Sequence, residues 1–418
     1  MLVILGARRG ISASHKRSVL NMTSTANSVR SGRDWEIFRD YGWIMGFCLV
    51  GLLRLVFCTE APIESSDLYR HLGFTSHFLQ YPGKFYWLLP SDFPNEFWSD
   101  FWSDQVYIYP PFALFFFSFF GTLGLGLFWV KLVLSLCDLA TALLIGRATN
   151  WWVGLLVFSA PASVWYTSHE GQYESLVTLL MVLAILCARK NHWKLAGVAF
   201  MLAVQTKQLG ILIAPYLVYE IFQRARPERI RAGLGFLIAS GVTFLPCVPF
   251  YWGRPGLWFL PLENQQNLLN PFYWPFFPTN FSVAHFDDCS NFRVVWNIVV
   301  TLVPLALLAL FLGRGHFLKK LPQALPSIGF WVMIKSIAWA MNWYMLMLPG
   351  CTFALWRHRR VMIALLVIFW LQCGQQLACI IGDMRTEEPA TIARFQKCIW
   401  FCDYRAPEDP DTPETGRP

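Results

Sequence analysis

Charge is what this sequence has least of. Only 14% of its 418 residues are Asp, Glu, Lys or Arg, where soluble globular chains carry about 25%. The apolar share is 55% and the aromatic share 17%. Polar faces alternating with apolar ones at helical period are missing from most of the apolar segments, which excludes a large soluble domain with buried helices. There is no CxxC pair and no Cys/His zinc spacing. Of eleven cysteines, Cys48, Cys58, Cys137, Cys187, Cys247, Cys351, Cys373 and Cys379 lie in apolar segments and read as small core residues. No metal site and no cofactor is expected. No glycine-rich nucleotide loop follows a strand. The first 41 residues are polar and basic, without the short apolar core and small-residue cleavage site of a secretory signal.

What is present is apolar length. Segments of about the length that crosses a bilayer, roughly 17 to 25 residues, run over 42–58, 106–122, 127–146, 151–166, 174–188, 195–206, 208–222, 232–251, 293–312, 323–338, 341–356 and 361–382. An all-α polytopic membrane protein is expected, with the first segment a retained signal anchor. The net charge of +8 does not point to nucleic acid, because its basic residues collect in short loops: "QRARPERIR", "RGHFLKK", "RHRR" and seven in the N-terminal arm. The positive-inside bias makes these cytoplasmic. Residues 59–105 carry seven acids against Arg70 and Lys84, and residues 252–292 carry three acids against Arg254. Both are placed on the far side, lumenal or periplasmic. Six segments then lie where an odd number of crossings is required. Either 151–166 with 174–188, or 195–206 with 208–222, forms half-helices or one longer span, giving about 11 crossings. The expected organisation is a basic, disordered arm over 1–41, a membrane domain over 42–384, and a polar tail over 385–418.

The first far-side loop holds the most chemistry. "SSDLYRH" puts Asp67, Arg70 and His71 within five residues, just beyond the first segment. A carboxylate beside a cation near a membrane surface is what general-base attack by a hydroxyl acceptor needs; Asp67 as cap of the helix "LYRHLGF" is the structural alternative, and Glu64 is the fallback carboxylate. The tandem "FWSDFWSD" stacks Trp98 on Trp102 and Asp100 on Asp104 along a helix, which suits an interfacial element. Tyr109 follows, with Pro110 and Pro111 at the mouth of the next segment, where proline costs least. A sequon, Asn280-Phe281-Ser282, falls in the second far-side loop; Asn21-Met22-Thr23 falls in the arm.

Ionisable residues inside apolar segments are costly and usually functional. Lys131 and Asp138 lie two turns apart on one helical face and are free to pair with other helices. Lys207 and Lys335 either approach a lipid phosphate or snorkel to the interface. His169, Glu170, Gln172 and Glu174 crowd one connection between short segments and are candidates to line a cavity. Arg70, His71 and Arg254 are on the correct side to meet a phosphate, and the planar fork of Arg suits it well.

Five stretches in order, "SSDLYRHLGF", "YPPFALFF", "KLVLSLCDLATALLIG", "SAPASVWYTSHEGQYESLVTLLMVLAI" and "AGVAFMLAVQTKQLGILIAPYL", resemble the GT-C glycosyltransferases that use lipid-phosphate sugars. The likeness extends to N-glycan glucosyltransferases, the first GPI-anchor mannosyltransferase and bacterial polyprenyl-phosphate mannosyltransferases, and covers roughly residues 40–250. The resemblance implies a GT-C-like fold with a large first lumenal loop that supplies the catalytic acid, by position Asp67. It implies inverting transfer of mannose or glucose from a dolichyl- or polyprenyl-phosphate donor to a lipid-linked or glycan acceptor. The far-side sequon suits an endoplasmic reticulum protein, with a bacterial plasma membrane as the alternative. The Gly-Gln-x-Asp-like stretch corresponds to Gly171-Gln172-Tyr173-Glu174 and the downstream lysine to Lys207. The sequence departs from the pattern at Glu174, where Asp or Asn is commoner, and at Ser168-His169-Glu170, which replaces an Asp-His-Gly-His run. A non-catalytic accessory subunit, or a lipid-linked-sugar transporter of the same fold, is the alternative. A secondary transporter should show matching halves, and neither "YPP" nor "GQYE" recurs in the C-terminal half. A partner subunit is left open.

Overall fold

The computed structural model describes residues 25–62, 66–78, 85–87, 107–259, 291–313, 315, 317–336 and 342–384. Every regular element among them is helical, with no strand. The expectations for Glu64, the "FWSDFWSD" tandem, both sequons and the tail fall outside the described residues.

Helix α1 (Thr25–Thr59) begins inside the basic arm, where disorder was expected. The stretch from Thr25 to the first span contains no proline, so nothing in it breaks the helix. Contacts divide the chain into a unit ending at Gly46 and a unit running from Phe47 onward. In the second unit α1 is two-faced: Leu49, Leu52, Leu53 and Val56 are exposed, while Arg54 and Cys58 are buried. An exposed stripe of leucine and valine is a liability in water and the stable arrangement against lipid tails.

Helix α2 (Asp67–Phe78) packs on α3 (Pro111–Thr122), which starts with Pro111 at its first position. Helix α4 (Leu127–Ala148) packs on α5 (Trp151–Phe158). A single turn, α6 (Pro161–Ser163), runs into a π-helical turn, Val164–His169. Helix α7 (Glu174–Arg189) packs on α4 and α8 (Trp193–Thr206). A 3₁₀ turn (Gln208–Ile213) leads into α9 (Ala214–Phe222), followed by α10 (Arg226–Phe244) and α11 (Val248–Gly253). Beyond residue 290 come α12 (Asn291–Gly313), α13 (Phe317–Ser336), α14 (Leu348–Thr352) and α15 (Arg359–Met384).

Among the described residues, three stretches are long and apolar enough to cross a membrane: Tyr41–Thr59, Leu127–Ala148 and Arg226–Gly253. The pair Pro161–His169 and Glu174–Arg189, bent by 114°, makes a fourth if it is one broken span. Pro111–Thr122, Gln208–Phe222, Leu302–Gly313 and Tyr344–Leu355 are apolar but short. Eleven crossings therefore exceed what the described helices support by length. Both segment pairs that the parity argument singled out are interrupted, one at 169–174 and the other at Lys207.

Buried polar side chains hold these interruptions. The Arg54 guanidinium pairs with Asp138 at 2.9 Å and also donates to the Phe158 carbonyl and the Ser163 and Ser168 hydroxyls. Its planar fork ties α1, α4, α6 and the π turn together. Asp138 also accepts from Ser163. The Lys131 ammonium donates to the carbonyls of Phe57, Glu60 and His169, capping the end of α1 and joining it to the π turn. Lys131 and Asp138 thus bind other elements rather than each other.

Candidate active site

The carboxylate of Asp67 sits at the first position of α2, 4% exposed. It does not cap that helix. Ser66 does, its hydroxyl accepting the Leu68 N–H at 3.3 Å and donating to the Glu170 carbonyl at 2.8 Å. With the cap supplied by its neighbour, the Asp67 side chain is released to other partners. The Tyr109 hydroxyl donates to Asp67 Oδ2 at 2.8 Å, and the positive charges of Arg70 and Lys207 act on the same carboxylate. Burial raises the Asp67 pKa above the ordinary carboxylate value, and Arg70, Tyr109 and Lys207 recover part of that rise.

Arg70, one turn on, is buried with its guanidinium 5.6 Å from the centre of the Tyr109 ring. His71 stacks on Phe117 at 4.1 Å and meets the Tyr109 and Tyr173 rings at 4.6 and 4.9 Å. Its Nδ1 lies 2.9 Å from the Tyr107 hydroxyl, and its buried Nε2 has no hydrogen-bond partner among the described residues. Burial first, then the charges of Arg70 and Lys207, lowers its pKa well below the usual imidazole value. Burial thus favours the neutral ring, and Nε2 is left to give or take one hydrogen bond.

The second half of the site comes from two helix interruptions. Gly171 has φ +69°, and a Cβ there would run into the Leu68 side chain. Only glycine turns the chain there at no cost. That turn delivers Glu174 to the start of α7, fully buried. Lys207, in extended backbone between α8 and the following 3₁₀ turn, ion-pairs with Glu174. Its ammonium also sits 3.8 Å from the Tyr344 ring centre and 5.3 Å from that of Tyr173. Snorkelling to the interface is excluded for Lys207 in this arrangement, since the side chain is enclosed by a carboxylate and two aromatic rings. The second carboxylate oxygen of Glu174, the Tyr173 hydroxyl and Gln172 Oε1 are buried without partners among the described residues.

Other expected residues fall at the edge of this cluster. His169 Nδ1 lies 2.6 Å from Glu170 Oε1 and its ring stacks on Trp165. Arg254 donates to the Tyr86 carbonyl, and its guanidinium lies 4.2 Å from the Trp87 ring centre. The Tyr86 hydroxyl in turn donates to the Tyr109 carbonyl at 2.8 Å. Arg254 thereby fastens residues 85–87 of the first loop against the second. Lys335 lies in α13, and its side chain is outside the described set.

The structure thus brings together Asp67, Arg70, His71, Tyr109, Glu174 and Lys207 from four separate stretches of chain. Sequence reasoning missed Tyr107, Tyr344, Ser66 and Arg54. Arg54 carried a signal, a cation within the first apolar segment, whereas Tyr344 carried none, since aromatics are abundant throughout. No group of three His, Cys, Asp or Glu residues fit to hold a metal occurs among the described residues. No curated protein matches the chain significantly. The family model for glycosyltransferase family 87 matches residues 107–334, just over half the chain.

Proposed function

From the chain's membership of glycosyltransferase family 87, which makes it a membrane-type glycosyltransferase, we propose that it transfers a hexose, mannose or glucose, from a dolichyl- or polyprenyl-phosphate donor. The acceptor is a hydroxyl of a lipid-linked or other glycan, and the reaction takes place on the membrane face served by residues 59–105. The observation that carries this reading is a buried carboxylate, Asp67, held by Tyr109 within the fields of Arg70 and Lys207.

In the proposed step Asp67 takes the proton of the acceptor hydroxyl. The acceptor oxygen bonds to the anomeric carbon as the carbon–oxygen bond to phosphate breaks, and that electron pair leaves on the polyprenyl phosphate. Direct displacement inverts the anomeric centre. A departing phosphate gains negative charge, and buried cations close to it stabilise the transition state more than the ground state. Arg70 is assigned to that phosphate because its fork can bind two oxygens at once. Lys207 supplies a second charge, with Glu174 and the Tyr173 and Tyr344 rings holding it in place. His71 offers a hydrogen bond at its unpartnered Nε2 to a sugar or phosphate oxygen. Arg254 has a positioning role through residues 85–87.

The test uses the purified full chain in detergent with short-chain polyprenyl-phosphate mannose or glucose and, separately, the nucleotide sugars, each with lipid-glycan acceptors and product mass as readout. A hexose gained from the lipid-phosphate donor alone is the expected result. Gain from a nucleotide sugar would overturn the donor assignment, and no gain from any donor would favour an accessory subunit or transporter.

A further inference from the structure

Helix α7 is 16 residues long, so its far end lies roughly 24 Å from Glu174. A cavity of about 620 Å³ opens there, between the α7–α8 turn and the start of α10. Its walls include His192, Trp193 and Lys194 from one connection, and Arg224, Glu228 and Arg231 from the other. Lys194, Arg224, Arg231 and the His192 imidazole share with one carboxylate, Glu228, a space of the size that takes small ligands.

The walls are organised for an anion. The Arg224 guanidinium lies 5.8 Å from the Trp193 ring centre, and its Nε is buried with no hydrogen-bond partner among the described residues. Arg229 donates to the Arg224 carbonyl, which fixes the backbone beneath that side chain. Helices α8 and α10 both begin at the cavity, and neither first turn has a side-chain cap. Their positive dipole ends, with the first-turn N–H groups that remain beside Pro227 in α10, add to the field of the cations. One turn further along, the two helices close up: the Ser240 hydroxyl donates to the Gly197 carbonyl at 3.1 Å, and a Cβ on Gly197 would collide with the Phe236 carbonyl. The space is thus shut below and open at the basic end.

The depth and the flanks identify the source of the anion. Arg226–Gly253 is a 28-residue apolar stretch, longer than the roughly 20 residues that cross a hydrocarbon core. Its first turns therefore reach headgroup depth. Leu195, Ile230, Leu234, Leu237 and Ile238 are exposed beside and below the cavity, a surface that accepts acyl chains. We propose that this cavity binds the phosphate headgroup of an anionic membrane lipid, at the opposite end of α7 from the transfer site. Basic pockets between membrane helices are suited to such headgroups.

Native mass spectrometry of the full chain with phosphatidylglycerol, phosphatidylcholine or glycerol 3-phosphate tests this. Phosphatidylglycerol is expected to be retained and phosphatidylcholine is not. The double substitution R224Q/R231Q is expected to weaken retention roughly 30-fold, at about one kilocalorie per mole for each cation near a lipid surface. Lys194→Glu, at an exposed position, keeps the test open should the double variant fail to fold, with a loss of at least about fivefold. Equal retention of phosphatidylglycerol by the wild type and both variants would overturn the site. Displacement of the lipid by an equal concentration of glycerol 3-phosphate would assign the cavity to soluble phosphate esters instead. Neither result depends on whether Asp67 catalyses transfer.

Discussion

A base sealed from water faces two opposing demands: it must be ionised to accept a proton, and burial penalises the ion. Asp67, the proposed base, shows the compromise, with its pKa raised by desolvation and partly restored by Arg70, Tyr109 and Lys207. The sign of the pH response follows. A base works only when deprotonated, so transfer should fall as pH drops through a value above the ordinary carboxylate range, and the acid limb of kcat/KM measures it. Tyr109→Phe removes a donor to the carboxylate and should move that limb to still higher pH. Because the folded state binds the Asp67 proton more tightly than the unfolded chain does, ionisation of Asp67 costs stability as pH rises between the two pKa values. Asp67→Asn should therefore melt no lower than wild type at neutral pH. The pair of Lys207 and Glu174 behaves differently. Replacing Lys207 with Met strands a buried carboxylate, at a cost of roughly 3 to 5 kcal/mol, while the double replacement with Met and Gln should cost less than the two single changes summed, as a double-mutant cycle in thermal melts would read out.

At the level of elements, the site is made where helices stop. Gly171 and Lys207 interrupt two apolar segments, and their breaks meet at Glu174. Irregular backbone inside a membrane domain survives only where protein satisfies its polar groups, and Ser66, Lys131 and Arg54 do that here for the carbonyls of Glu170, His169 and Phe158. Gly171→Ala places a Cβ at positive φ against Leu68, the neighbour of Asp67 in α2. The left-handed conformation alone costs about 1 to 2 kcal/mol, and the shift of Leu68 should reduce transfer by more than the melting temperature suggests. Arg54→Lys should not rescue Arg54→Met, because an ammonium cannot serve Asp138, Phe158, Ser163 and Ser168 from one plane. Comparing the thermal melts of the two variants checks this.

Across the whole molecule, the apolar composition was enough to read an all-helical membrane chain, and the clustering of Asp67, Arg70 and His71 in one short stretch singled out three of the side chains that meet in the buried polar cluster. Glu174 and Lys207 each stood out as ionisable residues beside or within apolar segments, but their pairing was not legible, since a carboxylate and a lysine separated by more than thirty residues carry no spacing signal. The number of crossings was not legible. Segment length measures apolarity along the chain, whereas the break at Gly171 and the 3₁₀ turn after Lys207 are set by tertiary contacts. The cap at Ser66 was hidden by its position, one residue before a carboxylate with equal claim to the role. The chain should stay with the membrane through an alkaline carbonate wash and leave it only in detergent, as expected for exposed apolar faces on α1 and α10.

The most direct measurement compares wild type with Asp67→Asn and Asp67→Glu in single-turnover transfer from polyprenyl-phosphate hexose, with thermal melts run alongside. Removal of the base should slow transfer at least about 100-fold, with melting no lower in Asp67→Asn and partial activity in Asp67→Glu. Transfer by Asp67→Asn at the wild-type rate would contradict the assignment of Asp67 as the base and move that role elsewhere in the chain.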